Sequence, residues 1–126
     1  MLGWMATREL TPDERAVIEF LLSSQFPGRD ELRSQLANVR TSGLSCQCGC
    51  PSIGLQVDTS AARASILGPI DAQGQDAAGN IVLVGLLLEY GYMKELDFTD
   101  IAATSKTGAV GFPVLDTLHL LLTGRP

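Results

Sequence analysis

Three cysteines stand at alternate positions in one short run, Ser45-Cys46-Gln47-Cys48-Gly49-Cys50-Pro51-Ser52. Successive side chains of an extended strand point to opposite faces, so an extended run would set all three thiols on one face. Two chemistries are open to such a row. The first is metal binding: thiolates hold zinc, and a structural zinc site wants four ligands. Cys46, Cys48 and Cys50 supply three, at C-x-C rather than the usual C-x2-C spacing. A fourth would have to come from His119 or an acid such as Asp58. The second is redox chemistry, because Cys48-Gly49-Cys50 could close a strained and therefore labile disulfide. Activation of a thiol needs a nearby cation or a helix N-terminus. No Lys, Arg or His follows within ten residues, and Arg40 is the nearest before. Against both stands the packing reading. Free Cys behaves as a small apolar residue, which places Cys46 and Cys48 in the core and Cys50 in a turn.

Other chemistry is thinly represented. His119 is the only histidine and lies between Leu118 and Leu120, so it reads as a packed or surface residue rather than a base. Glu89, Glu95, Asp97 and Asp100 gather around one hairpin without the spacing of a calcium loop, and read as a solvated strand face. No G-x-G-x-x-G, P-loop or G-x-S-x-G pattern occurs, which leaves nucleotide binding and hydrolase chemistry without support. An enzyme is therefore not the expectation, and neither is a bound cofactor, zinc at the cysteine run being the alternative.

The balance of charge narrows the partners. Nine basic and 14 acidic residues give a net charge of −5. The basic residues are scattered among acids, with no stripe of the kind nucleic acids select. An acidic surface suits solubility and a basic protein partner. No apolar run reaches the length of a membrane span, and Ile81–Leu88 fits a buried strand. The start, Met1 to Glu9, has no signal-peptide core, so the reading is cytoplasmic. Three cysteines are odd in number and closely set, unlike a disulfide framework.

The elements that would position these residues are legible in outline. Residues 1 to 9 read as a flexible leader and 10 to 126 as one α+β domain. Thr11-Pro12-Asp13-Glu14 is a capping box with proline at the first helical position. Val17, Phe20 and Leu21 follow at helical spacing, with Ile18 and Leu22 widening the stripe, which predicts a helix over 11–25. Pro27-Gly28 turns the chain. Asp30 and Glu31 favour a helix start, and Leu32, Leu36 and Val39 mark a second helix over 29–39. The period then becomes two. Residues 41–58 read as a β-hairpin with the cysteines on its first strand and tip, and 81–99 as a second hairpin. Ile81–Tyr90 is apolar on both faces and so central. Ser65–Gln73 reads as a third strand, at an edge because of Pro69, and Asp76-Ala77-Ala78-Gly79-Asn80 as a turn. Residues 102–111 read as a loop and the tail from Pro113 to Leu122 as a short C-terminal helix. Connections between strands are too short for crossover helices. The fold class is α+β: two N-terminal helices packed on a mostly antiparallel sheet of about five strands.

Leu10-Thr11-Pro12-Asp13-Glu14-Arg15, Phe26-Pro27-Gly28-Arg29-Asp30-Glu31-Leu32-Arg33-Ser34-Gln35-Leu36 and Cys46-Gln47-Cys48-Gly49-Cys50-Pro51-Ser52-Ile53 together resemble a family of small bacterial proteins with no established activity. The resemblance is carried by the first half of the chain and implies no activity. Size and acidity also resemble those of immunity proteins in bacterial toxin systems. The leading expectation is a non-enzymatic protein-interaction module, the immunity type being one form of it. The alternative is a small thiol or zinc protein centred on Cys46, Cys48 and Cys50. Two helices cover one face of the sheet, and a ten-residue tail covers only part of the other. A homodimer or a protein partner is expected to complete it.

Overall fold

The computed structural model describes residues 7–45, 51–66, 70–100 and 109–121. Helix α1 spans Pro12–Leu21 and starts as its sequence dictates. The Thr11 hydroxyl accepts from the Glu14 N–H at 3.1 Å, and the Thr11 N–H donates to Glu14 Oε1 at 2.9 Å. Arg8 clamps the same carboxylate through both terminal nitrogens, at 2.9 and 3.0 Å. Burial alone would raise the Glu14 pKa, but these donors outweigh it and hold the carboxyl below its ordinary range. Residues 8 and 9 run beside the first strand: the Thr41 N–H donates to the Arg8 carbonyl at 2.8 Å, and the Arg8 N–H to Thr41 Oγ1 at 3.1 Å.

Helix α2 spans Arg29–Leu36, shorter than its pattern predicts, though Val39 still reaches the core. Its most informative residue is Gln35, fully buried. The Nε2 amide donates to the carbonyls of Ala62 and Gly91, both at 2.9 Å, and Oε1 accepts from the Met93 N–H at 3.0 Å. A buried amide is costly unless satisfied. This one is satisfied three times over, and it ties helix, loop and hairpin together.

Six strands follow: β1 Arg40–Ser45, β2 Ile53–Gln56, β3 Ile70–Gln75, β4 Ile81–Glu89, β5 Tyr92–Thr99 and β6 His119–Leu120. They form one antiparallel sheet in the order β1-β2-β5-β4-β3-β6. The α+β class, the two helices and the central place of β4 stand as expected. The strand count is six rather than five, and the difference is in the tail. The expected C-terminal helix is a single 3-10 turn, Leu115–Thr117, followed by the short strand β6 on the free edge of β3. The edge of β3 offers unpaired backbone groups, and the tail pairs with them. The third strand begins at Ile70 rather than Ser65, and Pro69 lies outside the described residues.

Ile53, Leu55, Ala72, Val82, Val84, Leu86, Met93, Leu96 and Phe98 form the core face of the sheet. Val17, Ile18 and Leu21 of α1, Leu32 and Leu36 of α2, and Val110 and Leu118 of the tail pack in the same cluster. The Phe112 ring sits 5.3 Å from that of Phe98. Helices and tail thus share one face.

Candidate functional site

The opposite face is set by cross-strand register. On β3, β4 and β5, Asp71 pairs with Gly85 and Gly85 with Asp97, while Gln73 pairs with Leu83 and Leu83 with Thr99. Leu87 pairs with Glu95, which pairs with Gly54 of β2. Directly paired residues share a face, so Asp71 of β3 and Glu95 and Asp97 of β5 lie on one face, with Leu83 and Leu87 of β4 between them. Gly85 is the floor: a Cβ there would lie 3.1 Å from Asp71 Oδ1. The missing side chain is the room into which Asp71 leans.

Each carboxyl has its own environment. Asp97 is held by two hydroxyls, Ser52 Oγ donating to Oδ1 at 3.0 Å and Thr99 Oγ1 to Oδ2 at 2.9 Å. Ser52 is itself buried and accepts from the Phe98 N–H at 2.8 Å. Glu95 is pushed above its ordinary pKa by burial first and by the adjacent Asp97 second, with Lys94 opposing. Asp71 is pushed up by burial alone. Burial partly withdraws water from Asp71 and Glu95, and among the described residues only the exposed Lys94 opposes it, at Glu95. An opposite charge beside a carboxyl raised in this way favours its ionised form.

The sequence-derived candidates fall differently. Cys46, Cys48 and Cys50 lie outside the described residues, so the thiol and zinc readings gain no geometry. Among the described residues no three His, Cys, Asp or Glu side chains come together as a metal site. His119 stands exposed on β6 opposite Gln73, at the edge of the sheet. Asp58 caps its own turn by accepting from the Ser60 N–H at 2.9 Å. Glu95 and Asp97 are half-buried rather than a solvated strand face, while Glu89 pairs with Lys94 at 3.4 Å near the turn. Ser52 and Asp71 were not singled out from sequence. Their roles come from register with residues far along the chain, for which the sequence carries no local signal.

Ser52 Oγ and Asp97 form a hydroxyl–carboxylate pair at 3.0 Å. No described helix is long and apolar enough to cross a membrane. Comparison with protein-family models, curated proteins and solved structures finds no match for this chain.

Proposed function

We propose that this chain is a non-enzymatic protein-interaction module that docks a basic polypeptide on the Asp71–Glu95–Asp97 face. The observation that supports it is the withheld solvation of two of these carboxyl groups beside Leu83 and Leu87, on the face that α1, α2 and residues 110–118 leave to other occupants. A Lys or Arg side chain would pair with the carboxylates while apolar neighbours cover the leucines, the usual pattern of an interface core with a charged component. An immunity-type role, neutralising a basic toxin, is one form this takes.

Cross-linking capture with the purified chain tests the reading. The wild type should retain a basic protein that Asp71→Lys and Glu95→Lys variants lose, with the variants still cooperatively folded. Equal capture by wild type and folded variants would refute the use of this face. The alternative reading, a thiol or zinc protein, rests on the spacing of Cys46, Cys48 and Cys50. Stoichiometric zinc that disappears on Cys48→Ser would favour it instead.

A further inference from the structure

The β4–β5 connection is a two-residue hairpin in which Tyr90 and Gly91 both have positive φ, 53° and 83°. This backbone form favours Asn-Gly, and a bulky residue at its first position is strained. Gly91 has a clear reason to be glycine, since a Cβ there would lie 2.4 Å from the Ala64 carbonyl oxygen. Tyr90 has none in the fold. Its side chain is 80% exposed, so no burial offsets the strain. The turn beneath it is nonetheless firmly held. The Gly91 carbonyl accepts from both Gln35 Nε2 and the Ala64 N–H, each at 2.9 Å. A firmly held turn thus presents a largely exposed aromatic side chain.

A cleft of about 330 Å³, walled by Arg63, Ile66 and Leu88 and bounded on one side by Tyr90 and Gly91 themselves, opens at the foot of this knob. Arg63 is exposed and makes no ion pair with the described residues. Glu89, next to the knob, is joined among the described residues to the exposed Lys94. Knob and hole are adjacent on one surface, with the acid Glu89 at the knob and the cation Arg63, unpaired among the described residues, at the hole. That is the self-complementary arrangement a two-fold axis requires, each copy giving what the other receives.

We propose that the Tyr90 turn is a self-association surface, the Tyr90 ring of each copy entering the Arg63–Ile66–Leu88 cleft of the other, with Glu89 facing the second copy's Arg63. This contact joins two copies of the chain and uses a different surface from the acidic face. A contact between two turns is smaller than the standard interface, so the dissociation constant should be on the order of 100 µM.

Sedimentation equilibrium from about 20 µM to about 1 mM reads it directly. The wild type should pass reversibly from monomer to dimer. Tyr90→Asn should stay monomeric while unfolding at the same or a higher urea concentration, because asparagine suits the turn. Arg63→Glu and Glu89→Arg should each weaken association at least about 5-fold, and the double exchange should restore it to within about 2-fold. A monomer at the highest concentration would overturn the inference, as would a Tyr90→Asn variant that dimerises normally or unfolds earlier. Asp71→Lys should leave the association unchanged; its loss in that variant would move the contact to the acidic face and overturn the assignment to the turn.

Discussion

Replacing Asp76 with alanine should remove about 2–4 kcal/mol of stability at neutral pH, because one carboxylate organises two distant segments. Oδ1 accepts from the N–H groups of Ala78 and Asn80, at 3.0 and 2.9 Å. Oδ2 accepts from Asn80 Nδ2 and from the Gly111 N–H, both at 2.9 Å. The first pair shapes the turn between β3 and β4; the last bond anchors the tail, where Asp76 also bridges to Pro113. The side chain is buried, so its loss leaves those donors short of a partner. Hydrogen bonds to a charged group contribute about 1.5–3 kcal/mol, and the more accessible turn amides recover part of the loss from water. The same bonds set the pKa. The Gly111 N–H foremost, then the Asn80 side chain, hold the carboxyl down from 3.8 to about 2. Each unit is worth about 1.4 kcal/mol, which after solvent screening gives about 1–2 kcal/mol for the charge itself. A carboxyl whose folded pKa lies below its unfolded value stabilises the fold above the unfolded pKa and loses that contribution as pH falls through the folded one. The deficit of Asp76→Ala should therefore be full at pH 7 and should shrink between about pH 5 and pH 2. Urea unfolding of both proteins by circular dichroism at these pH values measures it. A deficit under about 0.5 kcal/mol at pH 7, or one equally large at pH 2, would refute the argument from this carboxylate.

Leu86 is fully buried at the centre of the sheet, and Leu86→Ala should cost about 2–5 kcal/mol in urea unfolding. Gln35→Leu should cost about 2–4 kcal/mol despite adding apolar surface, since it strands the buried Met93 N–H; hydrogen exchange at that amide should accelerate. Glu95 behaves oppositely to Asp76. Its raised pKa means that stability present below the ordinary carboxylate range is lost as pH rises through the folded value. Glu95→Gln should thus match the wild type at pH 4 and exceed it at pH 7, by up to about 1 kcal/mol, with the comparison made from urea midpoints. A thiol reagent applied to the native chain should label Cys50 before Cys46 and Cys48, which should react only on unfolding if they are core residues. Mass spectrometry of the labelled peptides gives the order.

The helix start at Thr11-Pro12-Asp13-Glu14, the tight connection of β4 to β5 and the double-sided apolarity of β4 are readable without coordinates. Each depends on residues within a few positions of one another, or on burial so complete that composition reveals it. The Asp76–Asn80 turn belongs with them, although its hold on Gly111 does not. What the tertiary structure alone decides is register and neighbourhood. Placing β2 beside β5 and β3 beside β4 brings Ser52, Asp71 and Asp97 into one patch, from positions separated by up to 45 residues in the chain. The same is true of Gln35, which reads as an ordinary surface residue of a short helix until Gly91 and Met93 close over it. The tail takes the edge of β3 rather than forming a helix for a related reason. Local preference in a ten-residue segment is weak, and unpaired backbone groups on a sheet edge outweigh it. Local signals specify elements because their donors and acceptors lie within a turn of each other. A binding face depends on contacts between distant segments, and these exist only once the core has chosen its register.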